Sequence, residues 1–281
     1  MKDHKKYLHL RVIDIKKIVP HENSDYSRVE PLVKNIKRVN IFTNPILVAH
    51  VKKDIYMQVD GMSRLFALKK MGIKSILAQV VDYNDHESVD VSTWCHFSII
   101  AETPFLEKLA KIKNVIVTKV GSRYLRRRYI NDEGLAYLCA LVFRNGNIYR
   151  CATGGNLEKK VKALGKIVEI YRDNITRDIL PDDANMGDVE RIFSMHKNCH
   201  SLVIFPTFTR HQVINVAVHN KTLFPAGLTR FIVKGRCLDV NFPLENLKSD
   251  KTEKEKNEIL EKFIKERQYR IYQEPTIYFE P

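Results

Sequence analysis

The segment YMQVDGMSR (residues 56–64) places three residues suited to phosphate chemistry at one short junction. Asp60 could hold a magnesium ion or orient a hydroxyl group. Gly61 lets the backbone turn and approach a ligand closely. Backbone N–H groups at the start of the next helix would then point at phosphate oxygens, and Arg64 could clamp the same group. The segment therefore predicts a phosphate site, with a purely structural strand–helix junction as the alternative.

The elements around this junction form a compact β-α-β-β-α-β unit. Alternating apolar residues predict strands at YLHLRVIDI, NPILVAHV and DIYMQVD, and ILAQVVDY follows as a fourth strand. Amphipathic patterns predict helices at RVEPLVKNIKRVN and RLFALKKMG, the second ended by Gly72. We take residues 1–85 as a first lobe.

Residues 86–281 predict a second lobe of mixed helices and strands that shares a cleft with the first. Asn145-Gly146 between two apolar runs predicts a β-hairpin. Helical patterns cover NLEKKVKALGKIVEIYRDN, DVERIFSMH and RHQVINVAVHN, and TRFIVKGRCLDVNFPL predicts a strand pair. The tail SDKTEKEKNEILEKFIKERQYRIYQE predicts an amphipathic helix with a solvated charged face. The fold class is therefore α+β.

The balance of charge favours a polyanionic partner. Lys and Arg number 47 against 33 Asp and Glu, a formal net charge of +14. The densest basic cluster is Arg126-Arg127-Arg128, and with Tyr124 and Tyr129 it could grip a nucleic acid by charge and stacking. A solvated basic face is the alternative explanation. DNA therefore stands beside nucleotide as a predicted partner class.

The composition excludes several classes of protein. Hydrophobic residues make up 44% and charged residues 28%, as in ordinary globular proteins. No apolar run approaches the ~18 to 20 residues that a membrane helix needs, and the N-terminus lacks a secretion signal, so we expect a cytoplasmic protein. Five widely spaced cysteines without a CxxC pair predict reduced thiols rather than disulfides or a zinc site.

Three separated motifs resemble the free L-serine kinases of the ParB/sulfiredoxin-like superfamily. The segment NPILVAHVKKDIYMQVDGMSRLFALKKMGIKSILAQVV resembles the superfamily's nucleotide-binding unit, and His21-Glu22 precedes it at the family's interval. VSTWCHF (91–97) resembles the S-T-W-x-H motif, and FPAGLTRFIVKGRCLDVNFPLENLKSD (224–250) resembles the P-A-G-x-T-R-F segment. The resemblance covers roughly residues 7–250, with a diverged middle.

Two other branches of the superfamily fit the sequence less well. Sulfiredoxin needs a cysteine where this chain has Met62. ParB partition proteins carry a glutamate and a second arginine that DGMSR lacks, and no clear helix-turn-helix follows. The chain resembles the kinase branch over most of its length.

The resemblance implies phosphoryl transfer from ATP, or from ADP as in archaeal relatives, to the hydroxyl of free L-serine. The product would be O-phospho-L-serine, which a staphylococcal member of the family supplies to siderophore biosynthesis. By the same resemblance, Glu22 would accept the hydroxyl proton and Asp60 would support Mg²⁺ or the hydroxyl. The implied phosphate-binding residues are Gly61, Met62, Ser63 and Arg64.

The resemblance also implies a pocket for the amino acid. Thr229 and Arg230 are the candidates for binding its carboxylate, with Trp94 and His96 as walls of the pocket. Each has a structural alternative: Trp94 and His96 could be core residues, and Arg230 could be an ordinary salt-bridge partner.

One position departs from the family pattern. The kinases carry a histidine before the motif's arginine, and this chain has Ser63, which can donate a hydrogen bond but supplies no positive charge. The change leaves three alternatives open: a kinase for another hydroxy amino acid, a catalytically inactive relative, and a ParB-like DNA-binding regulator that responds to a nucleotide or another ligand. The oligomeric state is open.

Overall fold

A computed structural model describes residues 9–23, 26–85, 88–126 and 128–271 of the chain. Within these ranges it contains the following strands: β1 (Leu10–Asp14), β2 (Ile18–Val19), β3 (Ile41–Phe42), β4 (Ile46–Lys52), β5 (Ile55–Asp60), β6 (Ser75–Val81), β7 (Val89–Thr93), β8 (Cys95–Ser98), β9 (Ile116–Val120), β10 (Ala136–Phe143), β11 (Ile148–Thr153), β12 (Thr176–Asp178), β13 (Ser201–Ile204), β14 (Thr229–Val233) and β15 (Phe242–Pro243). The helices are α1 (Tyr26–Val39), α2 (Met62–Lys70), α3 (Glu102–Ala110), α4 (Leu157–Glu169), α5 (Met186–Met195), α6 (Arg210–Ile214), α7 (Leu244–Lys248) and α8 (Glu253–Lys265). The α+β class predicted from the sequence, with helices and several sheets mixed along the chain, is confirmed.

The first lobe is built on a five-stranded sheet with the order β1-β6-β4-β5-β2. β4 pairs parallel with β6 and antiparallel with β5, so the end of β5 lies beside the start of β4. Side chains alternate between two cores, as the period of a strand requires. Val48 and Tyr56 pack with helices α1 and α2, whereas Leu47 and Met57 pack toward the second lobe.

The second lobe is built on a six-stranded sheet with the order β12-β8-β13-β10-β11-β9. β10 and β11 form the predicted hairpin, and Gly146 takes the positive φ of 87° that the turn requires. The helices predicted in this lobe are confirmed as α4, α5 and α6, and a π-helical turn at Asn215–His219 continues α6. Helix α4 packs on one face of the sheet and α5 on the other.

The predicted strand pair in residues 229–244 is wrong in its pairing. β14 pairs with β7, and the short β15 pairs with β3 in the first lobe. The connection between them is held by Gln79 on β6, which donates to the carbonyl of Gly235 and accepts from the backbone N–H of Cys237. The segment therefore crosses from the second lobe to the first instead of folding back on itself.

The predicted C-terminal helix is confirmed as α8, and it packs on the first lobe. Leu260 lies in the core of that lobe with Phe242. Lys256 is only 3% exposed, and its ammonium donates to the Ser75 hydroxyl and the Leu247 carbonyl. One face of this charge-rich helix is therefore buried, and the division of the chain at residue 85 stays a prediction.

Within the described ranges, no helix is both long and apolar enough to cross a bilayer. The five cysteines carry free thiols, and four of them are buried.

Candidate active site

Glu22 lies in the loop after β2, where the two lobes meet. Its backbone forms a parallel bridge with Phe224: the Phe224 N–H donates to the His21 carbonyl and the Asn23 N–H donates to the Phe224 carbonyl, both at 2.9 Å. The Glu22 carboxylate accepts the backbone N–H of Gly227 at 2.9 Å, and 18% of the side chain is exposed. The carboxylate is therefore fixed in place while keeping an open side.

The electrostatic environment of Glu22 suits a proton acceptor. Loss of solvation raises the pKa of Glu22 above its ordinary value of 4.5, although His21, the Gly227 N–H and Arg177 each favour the charged form. A carboxylate with a raised pKa accepts a proton more readily than a solvated one at the same pH.

His21 fixes the loop from the opposite side. The ring is 1% exposed, and Nδ1 lies 2.8 Å from the Gln58 carbonyl oxygen. Because a carbonyl only accepts, Nδ1 carries a proton and donates. The Nε2 atom lies 2.7 Å from the Thr229 hydroxyl and 3.7 Å from the Glu22 carboxylate. His21 therefore joins the Glu22 loop to β5 and β14, a role that its place beside Glu22 alone did not reveal.

The predicted phosphate loop has the expected strand–glycine–helix geometry. Asp60 ends β5, Gly61 has φ +91°, and α2 begins at Met62. A Cβ atom on Gly61 would lie 2.6 Å from Cγ2 of the buried Ile46 and 2.9 Å from the Arg64 guanidinium. Only glycine fits both the backbone angle and the available space here.

The side chains of three residues in this loop differ in their burial and in their hydrogen bonds. Met62 is buried in the core of the first lobe, so only its backbone remains for a ligand. Arg64 donates to the backbone carbonyls of Asn44 (2.9 Å) and Pro45 (2.7 Å), which ties the loop before β4 to α2. Ser63 is half-buried in the first turn of α2.

Asp60 is held by two arginines. Arg236 donates to Asp60 Oδ2, Arg64 Nη2 lies 3.8 Å from the same oxygen, and the Gly61 N–H donates to Oδ1 at 2.8 Å. Desolvation by itself would raise the pKa of Asp60, but the guanidinium groups of Arg236 and Arg64 outweigh it and hold the pKa below its ordinary value of 3.8. Arg236, which the sequence analysis did not single out, brings a positive charge to the loop.

Trp94 and Arg230 form a stacked pair at the edge of β14. The Arg230 guanidinium lies 5.2 Å from the Trp94 ring centroid, within cation–π range. The backbone N–H of Trp94 donates to the Leu228 carbonyl at 3.0 Å, while Thr229 is 6% exposed and its hydroxyl lies within hydrogen-bond distance of His21. The Thr229 hydroxyl is therefore already bonded within the protein and the Arg230 guanidinium lies against an aromatic ring, while their role as carboxylate ligands stays a prediction.

His96 is a buried histidine with both ring nitrogens satisfied. Nε2 donates to the Gly227 carbonyl at 2.7 Å, and Nδ1 lies 3.3 Å from the Tyr171 hydroxyl. Burial lowers the pKa of His96 to about 4, so the ring is neutral at physiological pH. His96 thus donates to the carbonyl of Gly227, the residue whose backbone N–H donates to Glu22.

The predicted site residues therefore come together from both lobes. Glu22 and Asp60 lie close enough for their charges to interact, and Thr229 and His96 reach Glu22 through His21 and Gly227. Gly227 and Arg236 were not among the predicted site residues, although they lie inside the motif quoted for residues 224–250, which could have pointed to them. Their roles depend on contacts with residues that are distant in the sequence.

The basic cluster lies in the second lobe. Arg128 stacks on Tyr124 at 4.6 Å from the ring centroid and donates to the Arg123 carbonyl. Arg126 is exposed, and Arg127 lies outside the described residues. DNA binding by this cluster stays a prediction.

The described residues contain no group of three or more His, Cys, Asp or Glu side chains that could hold a metal ion by themselves. Asp60 is the carboxylate at the phosphate loop, and magnesium is commonly bound by one or two carboxylates together with substrate phosphates. The loop therefore fits an ion that arrives with a nucleotide.

Comparison with known proteins connects this geometry to named relatives. Residues 2–94 match the ParB N-terminal domain family. The ATP-dependent L-serine kinase SbnI of Staphylococcus aureus is 26% identical over 250 residues, which cover 86% of this chain and 85% of SbnI. An ATP-dependent L-serine kinase of Staphylothermus marinus is 26% identical over 249 residues, 84% of this chain and 90% of that protein.

Solved structures of such proteins share the fold. C-terminally truncated SbnI superposes with a TM-score of 0.69 at 22% identity, covering 92% of this chain and 96% of that chain. A free serine kinase variant in complex with ADP superposes with a TM-score of 0.67 at 20% identity, covering 85% and 94%. Residues 2–94 are thus similar to the ParB N-terminal domain, and the chain, as its motifs predicted, resembles the L-serine kinases along most of its length.

Proposed function

We propose that this protein transfers a phosphoryl group from a nucleotide to the hydroxyl of free L-serine and releases O-phospho-L-serine. The proposal rests on the presence of two features in one site. The Glu22 carboxylate is desolvated and held by a hydrogen bond, and Gly61 lets the backbone turn into the start of helix α2, where a ligand can approach closely. Relatives named ATP- and ADP-dependent L-serine kinases support the same reaction.

Glu22 acts as the general base. The raised pKa of Glu22 favours uptake of the serine hydroxyl proton as the oxygen attacks the phosphorus atom. The Gly227 N–H keeps one carboxylate oxygen in place, so the reacting oxygen does not need to be ordered during the reaction.

The start of α2 binds the phosphates. The backbone N–H groups of Met62 and Ser63 lie in the first turn, and the positive end of the helix dipole favours an anion there. Arg236 adds a guanidinium beside Asp60, so positive charge enters the loop although position 63 carries no histidine. Phosphoryl transfer depends mainly on positioning and charge neutralisation, which this loop supplies.

Asp60 would hold the magnesium ion of the nucleotide. The lowered pKa keeps its carboxylate ionised, which a hard cation requires of its ligand. When bound, magnesium neutralises charge on the phosphate oxygens. The protein's own part is to present one ionised carboxylate next to the helix start.

The amino acid lies between Glu22 and the Trp94 side of the cleft. The stacked Trp94–Arg230 pair forms a rigid wall, and His96 and Thr229 fix the groups that surround Glu22. This arrangement is compatible with other small hydroxy amino acids, so threonine and homoserine are the acceptors to compare with serine.

Phosphorus NMR of the purified protein with magnesium, L-serine and either ATP or ADP tests the proposal. A phosphomonoester resonance that coincides with authentic O-phospho-L-serine, and that requires serine, is the expected result. The donor that gives it identifies the nucleotide. An intact nucleotide with serine, threonine and homoserine alike would contradict the proposal.

A further inference from the structure

Arg177 lies at the candidate site, and its guanidinium has no hydrogen-bond or ion-pair partner among the residues that the structure describes. It is on β12, opposite His96 in the strand register. Its Nε atom is buried and lacks a hydrogen-bond partner, and no described residue forms an ion pair with the side chain. A buried guanidinium donor without an acceptor is unfavourable unless a ligand supplies one.

The guanidinium of Arg177 lies directly against Gly227. A Cβ atom at position 227 would be 2.1 Å from Nε, 2.2 Å from Cζ and 2.4 Å from Nη2 of Arg177. The Gly227 N–H donates to Glu22, so Arg177 lies next to the peptide group that holds the proposed base. The charges of Arg177 and Glu22 are close enough to interact.

The other arginines of the site are engaged. Arg64 donates to two backbone carbonyls, Arg236 donates to Asp60, and Arg230 stacks on Trp94. Arg177 differs from Arg64 and Arg236, whose guanidinium groups donate to protein oxygens, and from Arg230, which stacks on a ring, because its buried Nε lacks a hydrogen-bond acceptor among the described residues. Its guanidinium is a planar group of N–H donors. Such a group matches the two oxygens of a carboxylate in a bidentate arrangement.

We propose that Arg177 binds the α-carboxylate of the amino acid substrate, in place of the Thr229–Arg230 pair. This inference rests on the proposed function. The hydroxyl oxygen of serine lies roughly 3 Å from its carboxylate carbon, given bonds of about 1.5 Å. A carboxylate on Arg177 therefore brings the hydroxyl to Glu22, and amino alcohols without a carboxylate lose this contact.

The test compares L-serine with L-serine amide, in which a neutral amide replaces the carboxylate, for the wild type and the Arg177→Gln variant. The variant should raise KM for L-serine at least about thirty-fold, as expected when a charged partner is lost. KM for the nucleotide should change less than about two-fold, because the phosphate loop is untouched. The preference of the wild type for L-serine over the amide should largely disappear.

Two further variants complete the test. Arg177→Lys keeps the charge without the planar fork and should fall between the wild type and Arg177→Gln. If Arg177→Gln shows no thermal stabilisation by the nucleotide, and so is not folded, Arg177→Lys takes its place as the test variant. Arg172→Gln removes the same charge from an exposed arginine that pairs with Glu169, and should match the wild type.

Three results would overturn the inference. An unchanged KM for L-serine in Arg177→Gln would exclude a carboxylate contact. Equal losses for L-serine and its amide would place Arg177 on the transferred phosphoryl group or in a structural role. A wild type that phosphorylates neither compound would contradict the proposed function, whereas the first two results leave that function intact.

Discussion

The backbone N–H of Gly227 donates to the Glu22 carboxylate at 2.9 Å, although 205 residues separate the two positions in the chain. The carbonyl of Gly227 accepts from His96, so two parts of the second lobe together hold one carboxylate of the first. The geometry of the proposed base therefore depends on the packing of both lobes.

Gly227→Ala tests this dependence. Position 227 has φ +67°, and an added Cβ would collide with the Arg177 guanidinium. We expect a loss of about 1–3 kcal/mol in the free energy of unfolding, from the left-handed backbone and the collision together. The kcat for serine phosphorylation should fall at least about ten-fold, because the donor to Glu22 moves. Denaturant unfolding and initial rates measure the two effects.

Gly134→Ala is the matched control for Gly227→Ala. Position 134 has nearly the same φ, +68°, but no atom of the described residues lies within 4 Å of an added Cβ. Gly134→Ala should therefore lower the free energy of unfolding by about 1 kcal/mol, from the backbone conformation alone, and should leave kcat unchanged. Equal kcat values in the two variants would argue against a role for the Gly227 N–H in positioning Glu22.

Gly61→Ala tests the phosphate loop. The added Cβ would meet Ile46 at 2.6 Å, and because Ile46 is fully buried it cannot move away without disturbing the core. We expect nucleotide binding to weaken at least about ten-fold, since the start of α2 must shift. Isothermal titration with ATP and with ADP measures the affinity.

Gly72→Ala provides the control for the loop, since φ is +71° there and an added Cβ would meet no atom within 4 Å in the part of the chain that the structure describes. Nucleotide affinity should stay at the wild-type value in this variant. A Gly61→Ala protein that binds nucleotide as tightly as Gly72→Ala would show that phosphates bind elsewhere.

The pH dependence of kcat should report the ionisation of Glu22. Activity needs the unprotonated carboxylate, so it should fall as pH drops through a midpoint above 4.5, the ordinary pKa that burial raises. Asp60 stays ionised over this range because its pKa is lowered, and His96 stays neutral because its pKa is about 4. Initial rates at saturating substrates from about pH 5 to 9 measure the profile.

The nucleotide also titrates in this pH range. The pH dependence of the residual activity of Glu22→Gln distinguishes the effect of the nucleotide from that of Glu22. A fall in kcat at low pH that is caused by the nucleotide would persist in Glu22→Gln, whereas the fall caused by protonation of Glu22 should disappear. A Glu22→Gln variant with an unchanged pH profile would show that protonation of Glu22 does not control the reaction.

Glu22→Gln should also change stability in a pH-dependent way. Because the pKa of Glu22 is raised in the folded state, the folded protein binds this proton more tightly than the unfolded chain. The contribution to stability is complete below pH 4.5 and is lost as pH rises through the raised pKa. Glutamine resembles the protonated form, so the variant should be more stable than the wild type above that pKa and similar to it below. Thermal unfolding at several pH values tests this, and a variant less stable than the wild type at pH 8 would contradict it.

Local patterns predicted the strand–glycine–helix geometry around Gly61 well, because that geometry is set within a few residues. The strand, the positive φ of Gly61 and the start of α2 all follow from DGMSR and the apolar runs around it. The hairpin at Asn145-Gly146 follows from the same kind of local rule.

The contacts between lobes could not be predicted from the sequence in the same way. Arg230 stands in a motif of the kinase family, yet its guanidinium stacks on Trp94, whereas Arg177 lies in a diverged segment and reaches Gly227. Pairing of β15 with β3 likewise depends on where Gln79 holds the connection. Contacts and strand pairings of this kind depend on tertiary packing, which the hydrophobic periodicity of the sequence does not predict.

The most direct test of the central claim is the turnover of Glu22→Gln with serine and nucleotide. Glutamine keeps an acceptor for the Gly227 N–H but cannot take a proton, so kcat should fall by about two to four orders of magnitude. The affinities for nucleotide and serine should stay close to those of the wild type, and Glu190→Gln, an exposed change on α5, should leave kcat unchanged. A Glu22→Gln enzyme that retains the wild-type kcat would show that Glu22 is not the base.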